Sequence, residues 1–233
     1  YSSVFRITGN SENISISECN IEYVSHGISF FPNGNNQLLD NIKISHNRME
    51  NIDCGAINCD LTEQMWMLKL KKMAESVSQS RIKHIQVTHN NIKNCGSRIL
   101  AWNPIGAIGL RGTELTEVSH NTIDYTYTQG IILQNGSYFG GEFNKYEMDY
   151  PLNRTFIFNN IVTNSLLAIQ DYGGIASWYA GPVYIYNNIS GNAVGMKYAD
   201  KKQFADKKDW YRTGCYGLAM YLLANPKKYK TIL

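Results

Sequence analysis

No run of apolar residues in this 233-residue chain approaches the length needed to span a bilayer. No signal peptide is visible, and the chain starts at Tyr1 rather than at Met. Charge is scarce: Asp, Glu, Lys and Arg make up 18% of residues and the net charge is +3. Only Lys201-Lys202, Lys207-Lys208 and the Lys227-Lys228-Tyr229-Lys230 run gather it, so nucleic-acid binding is not expected. Cys19, Cys54, Cys59, Cys95 and Cys215 are an odd set without C-x-x-C spacing. They read as free thiols acting as small hydrophobes, with Cys59 at an inward strand position. The five histidines and the carboxylates form no converging cluster, so neither a metal nor a cofactor is expected.

What remains is the composition of a folded protein, 43% hydrophobic, and it is organised by repetition. The stretch 170–192, QDYGGIASWYAGPVYIYNNISGN, contains both recurring parts. One is a G-x-I family: Gly27-Ile28, Gly55-Ala56-Ile57, Gly106-Ala107-Ile108, Gly130-Ile131, Gly174-Ile175 and Gly217-Leu218. The other is a strand, a polar residue, Asn and an apolar residue: ISHNRM, VTHNNI, VSHNTI, IFNNI and IYNNI, with ISECNI as a variant. Ile21 to Met49 is 28 residues, Ile92 to Ile123 is 31 and Ile161 to Ile189 is 28. Short strands and Asn turns at that period predict an all-β solenoid, a parallel β-helix in which equivalent residues stack from coil to coil. Asn at a repeated turn tolerates the left-handed conformation and can bond the Asn of the next coil. The same stacking would set His46, His89 and His120 in a column, as a turn feature rather than as ligands.

The whole chain, 1–233, then reads as one β-helix domain, and its unfinished last strand suggests a piece of a longer or trimmed protein. Insertions interrupt the pattern near 61–80, 97–104, 136–153 and 198–212. The first has Met65, Leu68, Met73 and Val77 at roughly helical spacing, giving a short helical or irregular excursion. The third is rich in Gly and aromatics and carries Glu142, Glu147 and Asp149; long loops on a repeat scaffold commonly line the working face.

Strand alternation predicts which residues leave the core. With Ile28, Ile57, Ile108, Ile131, Ile175 and Leu218 inward, the residues three further on form an outward column of Phe31, Asp60, Arg111, Gln134, Trp178 and Tyr221. Polar and aromatic groups at the strand separation of roughly 4.8 Å suit a sugar chain. A glycan touching Trp102, Asp60, Arg111, Gln134, Trp178 and Tyr179 is the expected ligand; a merely solvated sheet face is the other reading. A second column, four residues before the inward position, holds Asp53, Tyr127 and Asp171. Asp171 precedes Gly173-Gly174, where a ligand could approach the backbone, so it is a candidate acid, base or nucleophile. The alternative is an Asp that bonds turn amides.

With these residues in view, the chain resembles the right-handed parallel β-helix proteins of carbohydrate metabolism, most of all the glycoside hydrolases of xylosidase and fucosidase type. The resemblance covers most of the chain as architecture and about 171–178 and 217–225 as motif. It implies a catalytic carboxylate at Asp171 and a second on the following coil, where this chain has Leu223 and Ala224. The partner acid would then come from a loop, Glu142 before Glu147, or would have been lost or replaced at Ala224. The implied substrate is a plant or bacterial polysaccharide or oligosaccharide, with no membrane span, and the implied location is secreted or periplasmic. A polysaccharide lyase and a non-catalytic glycan-binding or structural β-helix of phage or adhesin type are the alternatives.

Overall fold

The structure, a computed structural model, describes residues 3–32, 36–60, 80–98, 106–134, 154–168, 173–178, 183–193, 218–223 and 231–232. Among these residues there are only strands, turns and bends, and every strand pairing is parallel. Three sheets run along the stack. Sheet A joins β1 (Ser3–Thr8), β4 (His26–Phe31), β7 (Ile57–Asp60), β10 (Ile108–Arg111), β13 (Ile131–Gln134), β16 (Gly173–Trp178) and β19 (Leu218–Leu223) in that order. Sheet B joins β2 (Ser11–Ser17), β5 (Leu38–Ser45), β8 (Arg81–Thr88), β11 (Thr113–Ser119), β14 (Thr155–Phe158), β17 (Val183–Tyr186) and β20 (Thr231–Ile232). Sheet C joins β3 (Asn20–Val24), β6 (Arg48–Ile52), β9 (Asn91–Cys95), β12 (Thr122–Thr126), β15 (Ile161–Thr163) and β18 (Ile189–Gly191). The chain visits A, B and C in turn, one strand in each per coil, which with the parallel pairing makes it a parallel β-helix, here right-handed.

The core follows from the alternation. Ile28, Ile57, Ile108, Ile131 and Ile175 pair in sequence across sheet A and are fully buried. Ile44, Val87, Val118 and Ile157 do the same in sheet B, and Met49, Ile92, Ile123 and Val162 in sheet C. Each such aliphatic side chain contributes about 1.5–3 kcal/mol on burial. Gly130 is needed where the chain turns into β13, because a Cβ there would stand 2.4 Å from Val162 Cγ1. Cys54, Cys59 and Cys95 lie in this core as free thiols, as expected. Complete burial pushes the Cys95 thiol up to about 12.

The corner between sheets B and C is built alike in every coil, with two residues between the strands each time. Its second residue is Cys19, Asn47, Asn90, Asn121, Asn160 or Asn188. Each asparagine Oδ1 accepts the backbone N–H of the residue one coil earlier, as Asn121 does from Asn90 and Asn160 from Asn121, both at 3.0 Å. The Nδ2 groups donate to the next Oδ1 and to a strand carbonyl of the previous coil, Val87 O at 2.8 Å for Asn121. The left-handed residue is not this asparagine but the one before it: Glu18, His46, His89, His120, Asn159 and Asn187 have φ of 52–58°. The reason is that the ladder amide must turn inward to reach its neighbours, so the sharp bend falls one position earlier. His46, His89 and His120 stack there with ring centroids 4.8 and 4.6 Å apart.

One strand of sheet A departs from the sequence reading. Leu218 pairs with Gly173, and Met220 with Ile175, so Leu223 rather than Tyr221 stands beside Trp178. A slip of two residues preserves the alternation of faces, so hydrophobic pattern alone could not select between the two registers. The insertions at 61–79, 136–153 and 198–212 lie outside the described residues, as does 97–104 apart from Ser97 and Arg98. Ser80 is described, and its Oγ accepts the Gln37 N–H at 3.0 Å.

Two expectations follow. Asn121→Ala leaves the Asn90 N–H and Nδ2 without their acceptor in a buried corner, and should cost about 3 kcal/mol in denaturant unfolding. The second concerns the histidine stack. Burial, and then the charges on His120 and His46, lower the His89 pKa, with Glu117 opposing. The unfolded chain therefore takes up this proton more readily, so the stability that this group contributes is full above about pH 6.5 and declines as pH falls below it. Unfolding midpoints between pH 7.5 and 5 should fall more for the wild type than for His89→Gln; equal slopes would refute the assignment.

Candidate functional site

The connections single out one sheet. Between B and C the turn never varies, whereas both ends of sheet A carry connections of variable length. Phe31 runs on to Leu38, Asp60 to Arg81 and Gln134 to Thr155 on one side, and Cys95 runs on to Ile108 and Thr163 to Gly173 on the other. Sheet A is thus the face that loops of different length can frame, where sites on repeat scaffolds usually form.

Its strands place the expected column in line. Asp60 pairs with Arg111, Arg111 with Gln134 and Gln134 with Trp178, one strand step each at about 4.8 Å. The structure brings these four positions together; of their side chains only Arg111, half-buried, is described. Asp171, Glu142, Glu147, Trp102 and Tyr179 lie outside the described residues. Asp60 stands three strand steps, about 14 Å, from the strand that follows Asp171. That exceeds the roughly 6.5–9.5 Å of an inverting carboxyl pair.

The next outward column, closer to the strand starts, was not anticipated. It reads Ser29, Asn58, Gly109, Ile132 and Ala176. On a solvated sheet face such residues would be exposed, but Ser29 is 8% exposed, Ile132 1% and Ala176 0%. This part of the face is enclosed. Asn58 lies flat over Gly55, where a Cβ would sit 2.1 Å from its Nδ2, and beside Gly109, where a Cβ would be 3.2 Å from its Oδ1. Both amide atoms of Asn58 are buried and neither has a hydrogen-bond partner.

Gln129 repeats that condition. It shares the register of Gly106, since the Ala107 N–H donates to its carbonyl at 2.9 Å. It is fully buried, and neither Oε1 nor Nε2 has a partner. Leaving a buried amide group unpaired costs about 1–3 kcal/mol, so neither is a stability device. Unpaired buried polar groups on an enclosed, glycine-lined face are what a polar ligand would satisfy.

The second sequence column is also assembled, with one addition. The Gly96 N–H donates to Ile52 O and the Tyr127 N–H to Cys95 O, both at 2.9 Å, so Gly96 stands between Asp53 and Tyr127. Arg98 reaches Asp53 Oδ2 at 3.0 Å, an exposed ion pair. His26, 7% exposed, is nearby. Its pKa is lowered by burial first, with Arg98 adding and Asp53 opposing. Asp53 is thereby engaged with a cation, while His26 is biased toward the neutral imidazole.

Among the described residues no group of three or more His, Cys, Asp or Glu could hold a metal ion, and no helix is long and apolar enough to cross a membrane. The fold defines the class, a right-handed parallel β-helix. No protein-family model, curated protein or solved structure matches the chain.

The sequence held no direct signal for Asn58, one of two polar residues in INCD; only Gly55 and Gly109, brought beside it by stacking, make it notable. Asn58→Leu tests whether it serves stability. Replacing an unpaired amide by an apolar group of similar shape should leave the melting temperature unchanged or higher, and remove ligand binding at this face. A clear loss of stability would show that the amide is paired in solution and is structural.

Proposed function

We propose that this chain is a carbohydrate-active β-helix protein, a glycoside hydrolase that takes a polysaccharide or oligosaccharide across sheet A. The observation that carries the reading is the outer face of that sheet, where the unpartnered amide of Asn58 lies against Gly55 and Gly109, with Gln129 ahead of β13 as a second buried amide without a partner. Sugar hydroxyls both donate and accept, as each of these amides does. The line Asp60, Arg111, Gln134 and Trp178 extends the face along four strands, enough for more than one sugar unit. Such a chain would work outside the cell or in the periplasm.

For the chemistry, Asp171 is proposed as one catalytic carboxylate and Glu142, or else Glu147, as the other. Two carboxyl groups about 5–5.5 Å apart would give retention, and roughly 6.5–9.5 Å inversion. In either geometry one acid protonates the leaving oxygen, and the second attacks the anomeric carbon or activates water.

Hydrolysis of a panel of plant and bacterial polysaccharides by the chain and by Asp171→Asn tests this. The variant should lose about 10²–10⁴-fold in rate if its carboxyl is the general acid or base, with glycan binding retained. Equal rates would remove Asp171 from the mechanism. Binding without hydrolysis in both proteins would make the chain a glycan-binding module.

A further inference from the structure

The outer face of sheet B carries a separate feature. One register line across it reads Ser15, Lys43, Gln86, Glu117, Phe156 and Tyr184. Phe156 and Tyr184 stack at 5.1 Å with 14° between their planes. In the next outward line Phe158 and Tyr186 stack at 5.0 Å and 2°. The two aromatic rows end where the polar strands begin. Tyr184 covers one face of Phe156, and the other looks along the line toward Glu117. A groove of about 540 Å³ opens there, lined among others by Asp40, Lys43, His84, Gln86, Glu117 and Phe156.

The polar groups of this groove are held in place. Asp40 accepts from His84 Nδ1 at 2.6 Å and pairs with Lys83 at 3.2 Å. These contacts outweigh the effect of burial and keep its carboxyl below the usual range. Glu117 Oε1 accepts the Ser119 hydroxyl at 2.6 Å, and its Oε2 stands 3.5 Å from Gln86 Nε2. Asp40 and Glu117 offer carboxylate acceptors, Gln86 offers a donor and an acceptor, and Lys43 offers donors.

This chemistry discriminates between occupants. β5, β8, β11 and β14 are each paired on both sides, so no strand edge is free to add a peptide strand. The carboxylates of Asp40 and Glu117 share the groove with Lys43, so it presents no positive field to a polyanion. An apolar ring face opposite fixed carboxylate, amide and ammonium groups matches a ligand with one apolar face and a rim of hydroxyls. We propose that this groove is a second carbohydrate site, for a neutral oligosaccharide, in which a pyranose ring lies against the free face of Phe156 and its hydroxyls pair with Gln86, Glu117 and Lys43. It is on a different sheet from the sheet A face proposed above and does not depend on that face being catalytic.

The test is NMR titration of the full chain with xylohexaose, cellohexaose and mannohexaose, with a galacturonate trimer as charged comparator. At least one neutral hexaose should shift the Gln86 side-chain amide and the Phe156 and Tyr184 ring signals, in the wild type and in Arg111→Ala alike. Phe156→Ala and Gln86→Ala should each weaken that binding at least 10-fold. If Phe156→Ala does not fold, Gln86→Ala and Glu117→Gln decide, since both change only outward side chains. The proposal is overturned if no neutral hexaose moves these signals, or if only the galacturonate does. It is equally overturned if the signals move on dilution without sugar, which would make the face a contact between copies of the chain.

Discussion

Each coil of this protein is tied to the next by a side-chain amide that can be satisfied in one way only. An asparagine buried at the B–C corner must give its Nδ2 to the next Oδ1 and receive a backbone N–H from the coil before, or leave several polar groups unpaired in a dry corner. Because a lost partner is penalised on both sides, the ladder behaves as a unit, each bond polarising its neighbours. It fixes the rise of the stack and the length of the turn together. That is why the turn holds two residues in every coil while the other corners vary widely. Variation is displaced to the two ends of sheet A, where the solenoid can accept loops without breaking the chain of amides.

The same constraint explains where the left-handed residues fall. The ladder residue must point inward, so its predecessor takes the bend, at a cost of order 1–2 kcal/mol for an ordinary residue. Asn159 and Asn187 tolerate that conformation well, and His46, His89 and His120 recover part of the cost by stacking. At the first coil Cys19 occupies the ladder position. Its N–H still donates to Asn47 Oδ1, but it brings no amide of its own, so the hydrogen-bonded chain of side chains starts at Asn47.

The fold was legible because its determinants are local and repeated. G-x-I gives the start of a sheet A strand, and H-N or N-N before an apolar residue gives the B–C corner. The register of β19 was not legible, because LAMYLL alternates well enough to sit two residues either way. The site divides similarly. Asp60, Arg111, Gln134 and Trp178 could be aligned from sequence, since each lies a fixed step after a G-x-I isoleucine. Asn58 and Gln129 could not, because their significance is the absence of a partner, and that depends on which glycines the stacking brings beside them. The sheet B platform was visible in principle in TFIFN and VYIYN. Its meaning needed Glu117 and Gln86 in the same register line, which the interruptions between coils conceal.

A solenoid also separates what its faces do. Outward residues of sheets A and B share no contacts across the aliphatic core, and substitutions more than about 7–10 Å apart without common partners act additively. Changing Phe156 therefore leaves Asn58 untouched, and the reverse holds. Within one face the opposite applies. Neighbouring strands are about 4.8 Å apart, so Asn58 and Gly109, or Glu117 and Phe156, occupy one another's surroundings and cannot change independently. Gly55 and Gly109 illustrate this, since a side chain at either would displace the Asn58 amide. Selection on such a face acts on lines of residues rather than on single positions, and a working surface is to be sought as a line in register across several coils.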